Sequence, residues 1–165
     1  PHLFPKGEED ELNNQRLYYT TTQDFKEFTQ TKLFLDPGFS VIDAVIVKRA
    51  KEDYVLVLKD NTRPNRNLSV AFASDPLGPY SNYSEPFSDY LSEGPTVIRR
   101  GDEWIIYYDN YGEKDYRAMK TSDFKVFVDI SDEVSLPREH KHGTITTINK
   151  EVLDGLLKAS AKNVK

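Results

Sequence analysis

Three polar side chains stand at the start of β-branched runs, and their types suit acid–base chemistry. Asp43 and Glu93 lie 50 residues apart, and His142 follows Glu93 by 49 residues. Two carboxylates that share a cleft hold each other's pKa values apart, which suits one of them as a general acid. A histidine can tune such a pair or hydrogen-bond a ligand. These residue types predict a shared site if the fold brings the three runs together.

The surroundings of these residues repeat with a period of about 50. Two apolar runs, residues 54–58 and 104–108, keep this spacing, and Asp24-Phe25-Lys26 recurs 99 residues later as Asp123-Phe124-Lys125. Each unit therefore contains about four short strands in roughly 50 residues, which is typical of a β-propeller blade. The third strand of the units is predicted at residues 17–21, 68–73 and 116–121.

We predict an all-β fold, a partial β-propeller of about three four-stranded blades with a short C-terminal helix. The alternative is a β-sandwich whose spacing is accidental. The innermost strand of each blade lines the central channel, so Asp43, Glu93 and His142 are expected to converge at one end of it. The predicted propeller covers residues 1–148, with blades near 15–60, 61–110 and 111–148 and a turn at Arg100-Gly101-Asp102. The helix and tail cover 149–165, where Asn149 can cap a helix that packs on the propeller rim or leads to a lost segment.

Composition excludes several classes of function. The net charge of −5 over 165 residues leaves no basic face for nucleic acid. No apolar run approaches the roughly 20 residues that a membrane-spanning helix needs. The chain has no cysteine, which excludes disulfides, thiolate metal sites and thiol nucleophiles. We predict a soluble protein and leave open whether it is cytoplasmic or secreted, as in the periplasm of a bacterium.

The number of predicted blades bears on partners. A closed propeller takes at least about four blades, and about three are present. Because open blade edges invite pairing, we expect self-association or a complementary chain at these edges.

Aromatic residues near Glu93 suit a carbohydrate ligand, because sugars stack their apolar faces on rings. Tyr90 lies on the connection before Glu93, and Asp109 ends the second strand of the same hairpin. We assign Tyr90, Asp109 and His142 to substrate binding or to the central channel. A role in packing remains the alternative for His142 and the tyrosines, and we assign no metal ligand.

Taken together, several short elements resemble glycoside hydrolase family 43, five-bladed propellers that act on glycans containing arabinose and xylose. The resemblance runs from residue 15 to about residue 157, and the order and spacing of the elements make it specific. The elements are residues 16–25, Val41-Ile42-Asp43-Ala44, Lys59-Asp60, Gly78-Pro79-Tyr80, Ser92-Glu93-Gly94-Pro95 and Lys141-His142-Gly143-Thr144.

The resemblance implies hydrolysis of arabinofuranosyl or xylosyl linkages in plant-type polysaccharides by an inverting mechanism. It implies that Glu93 is the general acid, that Asp43 tunes the pKa of this acid and orients it, and that His142 lies near the central axis. It implies no required cofactor, although a structural ion in the channel is compatible with it.

The family's general base is an Asp of the first blade, and no residue of this sequence matches it. The sequence is therefore expected to correspond to the last three or so blades, and this chain alone is expected to be incomplete as an enzyme. The alternatives are a non-catalytic glycan-binding propeller and a propeller that serves as a protein-interaction scaffold.

Overall fold

The computed structural model of the chain describes residues 14–64, 66–135 and 141–162. Among these residues, nine strands form three antiparallel sheets, followed by one 3-10 turn and one α-helix. This confirms the all-β class and the short C-terminal helix. The start of the predicted propeller, residues 1–13, and the end of the tail, residues 163–165, lie outside the described residues.

Strands that follow one another in the chain pair with one another in each sheet. The first sheet contains β1 (Leu17–Tyr19) and β2 (Lys32–Leu35). The second sheet contains β3 (Val41–Ala50), β4 (Asp53–Asp60) and β5 (Leu68–Ala73). The third sheet contains β6 (Ser92–Arg100), β7 (Glu103–Asn110), β8 (Asp115–Thr121) and β9 (Val128–Asp129). The 3-10 turn is Ser131–Glu133 and α1 is Lys150–Lys162.

The β-branched run after His142 forms no strand in the described part of the chain. Its backbone is held instead by a side chain, because the N–H of Ile145 donates to Oγ1 of Thr96 at 3.2 Å. A sequence with high β propensity needs a neighbouring strand to complete its hydrogen bonds. The sheets of the described residues have two, three and four strands, and the partial propeller of about three four-stranded blades stays a prediction.

The sheets pack on one another in chain order. Apolar side chains of the second sheet meet Leu35 of β2 on one face and Ile106 of β7 on the other. The second sheet contributes Val41, Leu56, Leu58 and Ala71 to the first core, and Val47, Val55, Val57 and Val70 to the second. This packing fixes β3 beside β6, and these two strands carry the two carboxylates.

The repeated Asp-Phe element forms the same turn in both places. Oδ1 of Asp24 and Oδ1 of Asp123 each accept two backbone N–H groups that follow them, at 2.8–3.1 Å. These hydrogen bonds lower the pKa of both aspartates. The next residue is left-handed in both turns, with φ of 58° at Phe25 and 61° at Phe124. Their environments differ, because Phe124 is fully buried and Phe25 is 85% exposed.

The C-terminal helix begins as the sequence predicts. Oδ1 of Asn149 accepts the N–H of Val152 at 2.9 Å, which is an N-cap hydrogen bond. The large apolar side chains of α1 are 44–60% exposed, so the expected packing of this helix on the propeller rim is not observed among the described residues. No helix in the described ranges is both long enough and apolar enough to cross a membrane.

Candidate functional site

The β3–β4 and β6–β7 hairpins share one backbone irregularity. The pairing skips residues 43–44 in β3 and residues 94–95 in β6. The first skipped residue has positive φ in each hairpin, 50° at Asp43 and 58° at Gly94. Asp and Gly are among the residues that adopt this conformation most readily, and a bulge re-aims the side chains around it.

The two carboxylates occupy adjacent places in this shared frame, not the same place. Glu93 comes just before the irregularity, where β3 has Ile42, and Asp43 lies within it, where β6 has Gly94. The predicted equivalence of Asp43 and Glu93 is therefore wrong by one residue. The reason is one additional residue, Arg49, near the end of β3. It is skipped in the pairing of β3 with β4, whereas β6 has no skipped residue at the corresponding place.

The expected convergence of the three side chains is observed. One carboxylate oxygen from each of Asp43 and Glu93 and one imidazole nitrogen of His142 lie within 4.8 Å of one another. The backbone N–H of Gly94 donates to Oδ2 of Asp43 at 3.1 Å, which ties the two strands together at the carboxylates. Nε2 of His142 stands 3.4 Å from Oε1 of Glu93.

Gly94 makes this approach of His142 sterically feasible. A Cβ at position 94 would lie 2.2 Å from Cδ2 of His142, well inside van der Waals contact. The φ of 58° at Gly94 is also costly for other residues. The Glu-Gly pair thus provides a carboxylate and, next to it, the space that the imidazole occupies.

Lys59 also belongs to the site, although no sequence pattern assigned it a role there. Its side chain is 2% exposed, and its Nζ donates to Oε2 of Glu93 at 2.8 Å. The same Nζ stands 4.8 Å from the centre of the Tyr111 ring, within the range of a cation–π interaction. In the sequence, the clue to this role is a lysine directly after the apolar run 55–58. In the structure the strand is still buried at that residue.

The charge around Glu93 favours its ionised form. Burial is the largest single influence and raises the pKa of Glu93, but the hydrogen bond and charge of Lys59 and the charges of His142 and Lys141 together outweigh it. The pKa of Glu93 therefore lies below its usual value of 4.5. This is the opposite direction from the one that a general acid at neutral pH needs.

A shallow depression of about 260 Å³ opens beside the carboxylates. It is lined by Asp43, Ala44, Val45, Gly94, Pro95, His142, Gly143 and Thr144. Of the predicted site residues, Asp43 and His142 line the depression, whereas Glu93, Tyr90 and Asp109 do not. Glu93 stands next to it, with a carboxylate oxygen within 4.8 Å of Asp43 and His142. Tyr90 is 55% exposed elsewhere, and Asp109 is 2% exposed, facing Glu93 across the β6–β7 hairpin.

The spacing of the carboxylates limits what they can do together. An inverting glycosidase separates its acid and base by about 6.5–9.5 Å to admit a water, and a retaining one separates its carboxylates by about 5–5.5 Å. Asp43 and Glu93 approach within 4.8 Å, so Asp43 is too close to be the inverting base for Glu93. The distance suits a residue that orients Glu93 and modifies its charge.

The same two carboxylates and the imidazole are also donors of the kind that bind divalent cations. Lys59 brings one positive charge to Glu93, which offsets one of the two carboxylates. The structural ion in the central channel stays a prediction.

Comparison with known proteins gives one family. A sequence profile for domains related to glycosyl hydrolase family 43, described as a probable glycosyl hydrolase domain, matches residues 3–154. The match covers nearly the whole chain and includes all three converging residues. No curated protein matches the chain.

Proposed function

The chain belongs to the family of probable glycosyl hydrolase domains related to family 43, and on this basis we propose that it acts as a glycosidase. We propose arabinofuranosyl or xylosyl linkages of plant-type polysaccharides as its substrates. The observation that carries the proposal is the convergence of Asp43, Glu93 and His142 beside an open depression.

In the proposed mechanism, Glu93 protonates the oxygen of the leaving group. Its Oε2 is occupied by Lys59, which leaves Oε1, the oxygen near His142, for the proton transfer. Asp43, held by the N–H of Gly94 and within 4.8 Å of Glu93, orients this carboxylate for the transfer. The base that activates water is a third group, since Asp43 stands too close for that role.

The pKa of Glu93 has a consequence for the pH dependence of this mechanism. Because Glu93 donates only in its protonated form and its pKa is lowered, the active fraction grows as the pH falls. We therefore expect turnover to rise from neutral pH toward the acid side, until protonation of the base or unfolding reverses it.

The test is turnover of an aryl α-arabinofuranoside and an aryl β-xyloside by the wild-type chain and by Glu93→Gln. We expect Glu93→Gln to lower kcat by about 10²–10⁴-fold, the usual contribution of general acid catalysis, with an unchanged circular dichroism spectrum. Glu103→Gln is the matched control, because Glu103 begins the second strand of the same hairpin and is exposed. A Glu93→Gln variant as active as the wild type would contradict the proposed role of Glu93. Absence of wild-type turnover would contradict activity of this chain by itself and would agree with the missing base.

One observation favours a second function, non-catalytic glycan binding. The Lys59–Glu93 ion pair keeps the carboxylate ionised and suits an acceptor of sugar hydroxyl hydrogen bonds. Calorimetry with arabino- and xylo-oligosaccharides distinguishes the two functions. Binding without turnover, with an affinity that changes less than about threefold in Glu93→Gln, would favour the binding module, since Gln still accepts a hydrogen bond.

We also propose that the chain self-associates through the surface around Phe25. Phe25, Phe28 and Leu33 are 85%, 56% and 51% exposed, whereas Phe124, the counterpart of Phe25 in the third sheet, is fully buried against the second sheet. Sedimentation equilibrium over a range of concentrations tests this. A molar mass that rises with concentration, and less so in Phe25→Ser, is expected, and a monomer at all concentrations would contradict it.

A further inference from the structure

Lys59 is a buried cation of the site, so its burial costs free energy, and it has a specific partner. Lysine is rarely buried in full unless it is paired, because removing its charge from water is costly. Lys59 reaches from the second sheet to Glu93 in the third, and the ring of Tyr111 lies on another side of its ammonium group. The ammonium is thus held between a carboxylate and an aromatic ring.

The hairpin itself does not require a lysine at this place. Lys59 pairs with Ile42 in the β3–β4 hairpin, and the residue at the same position of the β6–β7 hairpin is Asp109, which pairs with Glu93. Both positions are buried, yet they carry opposite charges. The same backbone pairing forms with either residue, so the sheet does not require a lysine at this position. The contact of Lys59 with Glu93 explains its presence instead.

We infer that Lys59 is a positioning residue that holds Oε2 of Glu93 so that Oε1 faces the ligand. This inference rests on the proposed function of Glu93 and deepens it. A buried ammonium holds Oε2 at 2.8 Å, and Oε1 lies 3.4 Å from Nε2 of His142, which lines the depression. Orientation of a reacting group within about an ångström decides rates by large factors.

Other charged groups also face Glu93, and the test has to separate them from Lys59. Asp43 approaches from β3, Asp109 lies opposite on β7, and Lys141 and His142 approach from the segment after the third sheet. His142 stands near Oε1, on the other side of the carboxylate from Lys59. A change at Lys59 alone therefore addresses the contact to Oε2.

The first experiment compares the kinetics of Lys59→Met and Lys59→Arg on the two aryl glycosides. On the acid plateau of the pH–rate profile, where Glu93 is protonated in both proteins, we expect Lys59→Met to lower kcat by at least about tenfold with KM within about threefold, because orientation affects the transition state more than ground-state binding. At neutral pH the larger protonated fraction of Glu93 in this variant offsets part of the loss. Lys59→Arg, which keeps the charge and the donor, is expected to recover most of the loss. Lys120→Met is the control, since Lys120 pairs with Glu103 on the same sheet away from the site. Equal losses in Lys59→Met and Lys59→Arg, or none in either, would overturn the inference.

The second experiment does not depend on turnover and therefore separates this inference from the proposed function. Carbon-13 NMR of the Glu93 side-chain carboxyl reports its titration midpoint in the wild type and in both variants. We expect the midpoint to move upward by about one pH unit or more in Lys59→Met, a tenfold change in the protonation equilibrium, and to stay low in Lys59→Arg. An unchanged midpoint in Lys59→Met would overturn the inference even if the wild type is active. A raised midpoint in an inactive wild-type protein would leave the inference standing and remove the proposed activity.

Discussion

The β3–β4 and β6–β7 hairpins have the same backbone frame and different chemistry. Each skips two residues in its first strand, and each has positive φ at the first skipped residue. At that residue β3 carries Asp43 and β6 carries Gly94. The residue before it is Ile42 in β3 and Glu93 in β6, so each hairpin contributes one carboxylate from a different place.

This difference shows how a repeat can build an asymmetric site. The common frame brings the two strand entrances side by side, and the one-residue offset lets the N–H of Gly94 bind Asp43 while Glu93 turns toward Lys59. If β6 carried its carboxylate at position 94, that side chain would take the space of His142. If β3 carried its carboxylate at position 42 instead of 43, the hydrogen bond from the N–H of Gly94 to Asp43 would be lost. The repeated hairpin brings the backbone positions together. The residues that differ between the two hairpins provide the carboxylates and the space beside them.

The two Asp-Phe turns give a second instance, with the largest expected effect on stability. Phe124→Ala is expected to lower the free energy of unfolding by about 3–5 kcal/mol, because a fully buried ring leaves a cavity between two sheets. Phe25→Ala is its matched control, with the same turn and an exposed ring, and should change stability by less than about 0.5 kcal/mol. Urea denaturation measures both, and equal effects would show that the turn itself, and not its surroundings, sets the cost.

At the site, Gly94→Ala gives β6 a side chain at the first skipped residue, where β3 already has the side chain of Asp43. We expect a loss of about 1–3 kcal/mol from the positive φ, together with displacement of His142 from Glu93. Gly101→Ala separates the two causes, because Gly101 has φ of 64° and no atom of another residue stands within 4 Å of the place that a Cβ would take. If both variants lose the same stability and the His142 resonances do not move in Gly94→Ala, the steric argument fails.

Acid sensitivity should distinguish Glu93 as the ion-paired carboxylate. Its folded-state pKa is lowered, so its contribution to stability is complete above the usual value of 4.5 and is lost as the pH falls through the folded-state value. Lys59→Met should remove most of this contribution and lose less stability than the wild type between about pH 6 and pH 3. The lowered pKa values of Asp24, Asp123 and Asp129 act in the same range and are unchanged by the variant, so they cancel in the comparison. Parallel curves for the two proteins would contradict the ion pair.

The smallest expected change is in Asp43→Gly, which gives β3 the residue that β6 has at this place. Glycine relieves the cost of positive φ but adds chain entropy and loses the hydrogen bond from Gly94, so the net change in stability should stay within about 1 kcal/mol. Turnover should nevertheless fall, since Asp43 no longer orients Glu93. Thermal unfolding and the aryl glycoside assay measure the two effects, and a large loss of stability would assign Asp43 to structure.

Local patterns predicted much of this fold. The strand predicted at residues 68–73 is β5 with the same bounds, and the turn at Arg100-Gly101-Asp102 joins β6 to β7. The capping role of Asn149 followed from its position before an amphipathic run. These features depend on alternation, turn residues and capping, all of which act within a few residues.

Features that depend on distant residues were not predictable in the same way. The additional residue Arg49 shifts the register of β3 by one and is invisible in a count of periods. The contact of Lys59 with Glu93 joins residues 34 positions apart across two sheets. The run after His142 has the composition of a strand, but without a neighbouring strand it forms no ladder in the described part of the chain.

An NMR titration with sugar shows whether the depression beside Asp43, Glu93 and His142 is the carbohydrate site. The backbone amide signals of the wild-type chain are followed while arabino- or xylo-oligosaccharide is added. If the depression binds sugar, we expect saturable shifts centred on Gly94, Gly143 and Thr144, which line it, and weaker shifts in Glu93→Gln. Shifts centred on another surface, or none with either sugar, would contradict it.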